Sequence, residues 1–120
     1  MKKILIIEDD DNIIRMIKMV MKRMVTEGKF ELTFAKSLKE AEEKLDNQNY
    51  FDVVAIDGSL EARGGAPDTH HLIVKTQTYQ QNAVIITISS SENTRKEALA
   101  IGCHHEADKS GLYQLLTSIV

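Results

Sequence analysis

The sequence predicts an α/β protein built on a doubly wound, mostly parallel sheet with helices on both faces. Three observations predict it. Ile4–Ile7, Val53–Ile56 and Val84–Ile88 are unbroken apolar runs, the pattern of strands covered on both sides rather than half exposed. Stretches with apolar residues at helical spacing separate these runs. Strand and helix patterns then alternate along the whole chain, the order that gives parallel strands joined by right-handed crossovers.

The first strand, Ile4-Leu5-Ile6-Ile7, is closed by Glu8, Asp9 and Asp10. A helix is expected from Asn12 to about Glu27, with Ile13, Ile17, Val20 and Met24 as its inward stripe and Ile14, Met21 and Val25 beside it. Asp11 or Asn12 can cap its start and Gly28 can end it. Glu31–Ala35 reads as a short second strand. Ser37-Leu38-Lys39-Glu40 has capping-box spacing, so a helix runs from Leu38 to about Asn47 with Leu38, Ala41 and Leu45 inward. Phe51 and Val53–Ile56 make the third strand, ending at Asp57. Gly58–Asp68 reads as loop, broken by Gly64, Gly65 and Pro67, and a helix follows over Thr69–Tyr79. Val84–Ile88 is the fourth strand and runs into Ser89-Ser90-Ser91. The next helix, from about Asn93 to Ile101, stops at Gly102. His104–Ala107 is the weakest strand, and Ser110 can cap a last helix over Gly111–Val120.

With 120 residues the chain has the length of one domain. Its 42% hydrophobic and 28% charged residues suit a soluble globular core. A net charge of −3 argues against whole-surface attraction to nucleic acid or anionic lipid. No apolar run approaches the roughly 20 residues that span a bilayer. The acids after Ile7 cut the first apolar stretch too short for a signal peptide. Cys103, alone, cannot form an internal disulfide, which fits a reducing compartment. A cytoplasmic location, no membrane and no nucleic-acid partner, and one domain over 1–120 without an output domain are therefore expected.

In such sheets, ligands bind in the crevice at the carboxyl ends of the strands. There the sequence places Glu8-Asp9-Asp10, Asp57, Ser89-Ser90 and, just past the fifth strand, Lys109. At an effective dielectric near 20, two like charges about 5 Å apart cost roughly 3 kcal/mol. Converging carboxylates thus need a cation, a shared proton or a lysine. A hard divalent ion such as Mg2+ suits oxygen donors. Taken alone, Glu8-Asp9-Asp10 is equally a solvated helix start favoured by the helix dipole.

The motifs Ile4–Asp10, Val53–Asp57, Ile85–Ser90 and Asp108-Lys109 are short individually, but their order and spacing resemble the receiver domain of two-component response regulators. The resemblance covers the chain from Lys3 to the last helix. It implies a flavodoxin-like fold with five parallel strands in the order 2-1-3-4-5. It also implies a phosphorylation switch rather than a turnover enzyme. Asp57 would be the phosphoacceptor, served by a sensor histidine kinase or a phosphotransfer protein; the acyl phosphate splits one hard transfer into two steps. Glu8, Asp9, Asp57 and the backbone carbonyl of Ser59 would hold Mg2+ or Mn2+. Lys109 would pair with the carboxylate and then with a phosphoryl oxygen. Ser89 would bond another phosphoryl oxygen, and Ser90 would leave room for the donor. Thr87, on the same side of the strand two residues earlier, is the alternative hydroxyl. Ser89 is preferred because Ile88 would crowd a site centred on Thr87. A downstream protein, which the sequence does not identify, would dock on the face made by the fourth helix, fifth strand and fifth helix of the family, including Arg95, Lys96 and Glu106.

Three departures from the family stand out. Lys109 precedes Ser110 where the family has proline after a cis bond; a cis bond before a non-proline costs about 2.5–4 kcal/mol, so the sequence leaves cis and trans both open here, and a trans bond would seat Lys109 differently. Glu106 occupies the place of the usual aromatic switch residue, and burying a glutamate needs a partner. The Glu61–Asp68 loop replaces a more regular turn and is read as ordinary surface. The changes at 106 and 110 motivate a second reading, a pseudo-receiver that binds partners without phosphorylation. A third rests on Ile56-Asp57-Gly58-Ser59-Leu60, which resembles the nucleophile loop of haloacid-dehalogenase-type phosphatases. That family needs a second Asp two residues on, where Ser59 stands; if Asp57 were the second Asp, Ala55 would fill the nucleophile position. His70-His71 and His104-His105 are read as surface or edge residues and Cys103 as buried packing. The methionines of the first helix are read mainly as packing, with Met16 and Met19 the two that could face a partner.

Overall fold

A computed structural model describes residues 1–46, 49–60 and 67–119. Five strands, β1 (Lys2–Ile7), β2 (Phe30–Ala35), β3 (Val53–Asp57), β4 (Val84–Ile88) and β5 (His105–Ala107), alternate with helices α1 (Asp11–Val20), α2 (Lys22–Thr26), α3 (Leu38–Lys44), α4 (His70–Tyr79), α5 (Glu92–Ile101) and α6 (Leu112–Ile119). All strand pairs are parallel and the order is β2-β1-β3-β4-β5, the expected doubly wound sheet.

Alternation along the strands divides the core between two faces. Leu5, Ile7, Val54, Ile56 and Ile85 pack with Ala41 and Leu45 of the α3 region, Leu72 and Ile73 of α4, and Ala98 of α5. Ile4, Ile6, Val53, Ala55, Ile86 and Ile88 pack on the other face with Ile17, Met21, Leu112 and Leu116, so α1 and α6 cover it. Burying each Ile or Leu contributes about 1.5–3 kcal/mol, and both faces of the central strands use it. Cys103 belongs to the first cluster; burial pushes its thiol up to about 12. Among the described residues no helix is long and apolar enough to cross a membrane.

Local details differ from the sequence expectations. The first helix is two: at the wholly buried Met21 the backbone turns to φ −99°, ψ 1°, while Met21 N–H still bonds Ile17 O and Val25 N–H bonds Met21 O. The inward stripe is Ile14, Ile17 and Met21, flanked by half-buried Ile13 and Met24, whereas Val20 and Val25 are exposed. Spacings of three and four residues permit either stripe, and packing on β1 and β3 selects between them. Met19 is 70% exposed, so it does not pack. Asp10, rather than Asp11 or Asn12, caps α1 by accepting from Asn12 N–H at 2.8 Å. Ser37 caps α3 as expected, accepting from Glu40 N–H at 3.1 Å, and Glu40 reaches back to Lys36 N–H at 2.8 Å. α3 ends at Lys44, short of Asn47, which lies outside the described residues. Ser110 does not cap α6. Asp108 Oδ1 instead accepts from Gly111 N–H at 2.7 Å and from Ser110 Oγ at 2.9 Å. Of the Glu61–Asp68 loop, residues 61–66 lie outside the described residues, Gly64 and Gly65 with them. Asp68 bridges back, its Oδ1 accepting from Leu60 N–H at 2.7 Å.

Candidate functional site

β1 and β3 are neighbours, with Ile7 opposite Ile56, so the residues that follow them emerge side by side. Glu8 N–H continues the ladder to Ala35 O at 3.0 Å, which holds Glu8 at the sheet edge, wholly buried. Asp57 closes β3 and is 4% exposed, while Asp9 lies on the open side. One oxygen from each of Glu8, Asp9 and Asp57 falls within 4.8 Å of the others. At that separation each like-charged pair costs roughly 3 kcal/mol.

Lys109 partly offsets this repulsion. Its Nζ lies 2.8 Å from Glu8 Oε1 and 3.2 Å from Asp57 Oδ2. It does so across a trans bond to Ser110; among the described residues no peptide is cis. The remaining oxygens meet backbone. Glu8 Oε2 accepts from Asp9 N–H at 3.0 Å and Asp10 N–H at 3.3 Å, and Asp57 Oδ1 accepts from Ser59 N–H at 3.4 Å. One ammonium against three carboxylates leaves an excess of negative charge. Burial first, and then the neighbouring Asp57 carboxylate, push the Glu8 carboxyl above its ordinary range against the pull of Lys109. Asp9 rises in the same direction, through desolvation first and Glu8 second. Burial works against the Lys109 ammonium, but its bond to Glu8 and the charges of Asp57 and Glu8 outweigh that and raise its pKa. These are hard oxygen donors in negative excess, converging at a sheet edge, and they fit a divalent cation such as Mg2+.

Asp9, Asp10, Asp57, Ser59, Ser89–Ser91 and Lys109 line an open depression of about 550 Å3. Of the two candidate hydroxyls, Ser89 faces it. Thr87 lies inside β4 opposite Ile56, 2% exposed. Ser89 Oγ accepts from Ser91 N–H at 3.0 Å. Gly58 lets the Ser89 loop and α5 close on β3: a Cβ there would collide with Thr94 Cγ2 and stand 3.5 Å from Ser89 Cβ. Ser90 is exposed on the rim.

Glu106 is not in the depression. It pairs outward with Arg95, Nε to Oε1 at 3.1 Å. Arg95 also donates from Nη1 to Ser89 O at 2.6 Å, a contact that reading the sequence missed because it joins α5 to a loop through the backbone. The histidines stand apart from the carboxylates. His71 Nε2 meets Glu42 Oε1 at 3.1 Å, His70 Nδ1 is 3.9 Å from Glu97 Oε2, and His104 Nδ1 accepts from Ile85 N–H at 2.9 Å.

The sequence profile of the family described as response regulator receiver domain matches residues 4–119. No curated protein sequence is matched by the chain. Several solved structures share its fold. Response regulator protein TrrA from Thermotoga maritima, in complex with Mg2+ and BeF, is 19% identical over the whole of both chains, with a TM-score of 0.72. The receiver domain of NtrC4 from Aquifex aeolicus is 24% identical over 98% of this chain and 93% of that one, with a TM-score of 0.72. Chemotaxis protein CheY4 of Vibrio cholerae is 20% identical over 100% of this chain and 99% of that one, again with a TM-score of 0.72. The acid cluster thus sits at the strand ends of a known architecture, and the chain belongs to the family of response regulator receiver domains.

Proposed function

We propose that the domain is a phosphorylation switch whose phosphoacceptor is Asp57. The observation that supports this most is the meeting of Glu8, Asp9 and Asp57 within 4.8 Å under one lysine that touches two of them. A carboxylate oxygen of Asp57 attacks the phosphorus of a phosphoimidazole. The new O–P bond forms as the P–N bond breaks, and the freed imidazole nitrogen takes up a proton. The product is an acyl phosphate.

Lys109, on Asp57 Oδ2, has an ammonium ready for a phosphoryl oxygen. Ser89 Oγ already accepts from Ser91 N–H, so its own hydrogen is free to donate to a second phosphoryl oxygen. Ser90 is short and exposed and leaves space for the incoming donor. A Mg2+ or Mn2+ ion held by Glu8, Asp9, Asp57 and the carbonyl of Ser59 would neutralise charge on the transferring group. TrrA, complexed with Mg2+ and BeF, has the same fold.

The donor is a sensor histidine kinase or phosphotransfer protein. A groove between α1 and α6, lined by Met16, Val20 and Tyr113 and reaching Lys109, suits an apolar helix carrying the histidine. The downstream partner docks on α5, β5 and α6. Loss of switching, the second reading, is disfavoured by Lys109, which meets both carboxylates despite Ser110. Phosphatase turnover lacks its second acid, since Ser59 stands two residues after Asp57.

Incubation with acetyl phosphate and Mg2+, followed by intact mass, tests the reading. Wild type gains one phosphoryl group; Asp57→Asn, or wild type without Mg2+, gains none. A wild type that gains nothing and does not respond to beryllofluoride is an interaction module instead.

A further inference from the structure

Arg95 projects from α5, yet its side chain is only 18% exposed. Its guanidinium joins two places. Nε meets the Glu106 carboxylate at 3.1 Å, and Nη1 donates to the Ser89 carbonyl at 2.6 Å. Ser89 N–H in turn donates to the carbonyl of Ala107, the residue after Glu106, at 3.2 Å. The contacts form a closed ring that runs from the guanidinium to Glu106, along the chain to Ala107, across to Ser89 and back. Both backbone polar groups of Ser89 are thereby fixed, and Ser91 N–H fixes its hydroxyl oxygen.

A surface carbonyl could be satisfied by water, and Ser90 beside it is exposed. A planar, charged fork held by a carboxylate is a stiffer partner than water. The ring includes β5, and Lys109 follows Ala107 by two residues. One guanidinium therefore braces the two segments that carry Ser89 and Lys109, the groups assigned above to the phosphoryl oxygens.

We propose that Arg95 is a positioning residue for phosphoryl retention, with Glu106 as its anchor. The pair holds the Ser89 hydroxyl toward Asp57 and links the state of Glu106, on the outer face, to that site. The inference rests on the phosphorylation reading above. Because coupling between sites is reciprocal, anything that engages Glu106 alters phosphoryl retention, and phosphorylation alters the Glu106 pairing.

Beryllofluoride titrated into the full chain at saturating Mg2+ is the probe. Arg95→Ala and Glu106→Gln each weaken beryllofluoride binding by about fivefold or more, the usual scale of such coupling. Their Mg2+ affinity without beryllofluoride stays within about twofold of wild type, because neither residue touches the carboxylate cluster. The double variant is no weaker than Arg95→Ala, since both changes break one ring. Arg95→Lys recovers part of the loss, as a point charge replaces one arm of the fork. Unchanged beryllofluoride binding in Arg95→Ala, equal losses of Mg2+ and beryllofluoride affinity, or additive losses in the double variant each overturn the proposal. Hydrogen exchange of the Ser89 and Ser91 amides reads the ring without any phosphoryl analogue: Glu106→Gln accelerates both, and unchanged rates overturn the clamp. If wild type binds no beryllofluoride while these amides do respond, the phosphorylation reading fails and the clamp stands.

Discussion

Lys109 Nζ lies 2.8 Å from Glu8 Oε1, a contact between residues 101 positions apart in the chain. It ties the end of the first strand to the segment after the last. Because Glu8 is wholly buried, the ammonium, with the backbone N–H groups of Asp9 and Asp10, offsets the cost of placing a carboxylate where water has little access.

Removing that ammonium leaves Glu8 and Asp57 facing each other. Breaking a fully buried pair costs about 3–5 kcal/mol, but Lys109 is partly exposed, so Lys109→Ala should cost metal-free protein about 1–3 kcal/mol. Thermal unfolding measures it. Added Mg2+ should raise the melting temperature of the variant more than that of wild type, since the ion takes over part of the compensation. Equal Mg2+ shifts in both proteins would count against the ion and lysine sharing one charge cluster.

Mg2+ affinity should fall at least about tenfold in Glu8→Gln and in Asp9→Asn, which remove converging carboxylates. Asp10→Asn, whose carboxylate is engaged as a helix cap, should change it far less. The chain has no tryptophan, so calorimetry is the measurement of choice. Equal effects at 9 and 10 would contradict the placement of Asp9 as a ligand.

The carboxyls of Glu8 and Asp9 hold protons more tightly in the fold than in the unfolded chain. For groups raised in this way, the stabilising contribution is complete below the ordinary carboxylate range. It is lost as pH rises through their folded values. Metal-free wild type should therefore lose stability relative to Glu8→Gln as pH rises through the range just above ordinary carboxylate titration. A cation must displace the same protons, so Mg2+ affinity should weaken as pH falls through that window. Denaturant melts of the two metal-free proteins over pH 4–8, roughly the span of such shifts, check the first sign, and calorimetric Mg2+ titration of wild type over the same range checks the second. A difference independent of pH is the adverse result.

Gly58 admits the Thr94 methyl against the strand that carries Asp57. Gly58→Ala should cost about 1–3 kcal/mol through overpacking. Thr94→Ser, which deletes the obstructing methyl, should recover much of that loss in the double variant. Purely additive effects in denaturant melts would place the strain elsewhere.

Much of this is legible in the sequence. The runs at Ile4–Ile7 and Val84–Ile88 announced buried strands because a sheet covered on both faces needs no polar alternation. Ser37, Glu40 and Gly102 marked helix ends by local chemistry, and Gly102 does adopt φ +142° at the end of α5. What escaped notice depends on contacts distant in sequence. The choice between Ile14 and Val20 as inward residues is made by the sheet, not by the helix. Asp108 supplants Ser110 because its carboxylate reaches two donors ahead of it. The role of Arg95 depends on a backbone carbonyl, which no side-chain pattern announces.

The single cysteine carries a practical consequence. Cys103 is 8% exposed and packed under α4 and α5, with its thiol held protonated by burial up to about 12. An alkylating reagent attacks thiolate, so intact molecules should resist it at neutral pH. Modification then proceeds only through those rare excursions in which that layer lifts from the sheet, and its rate becomes a clock for them.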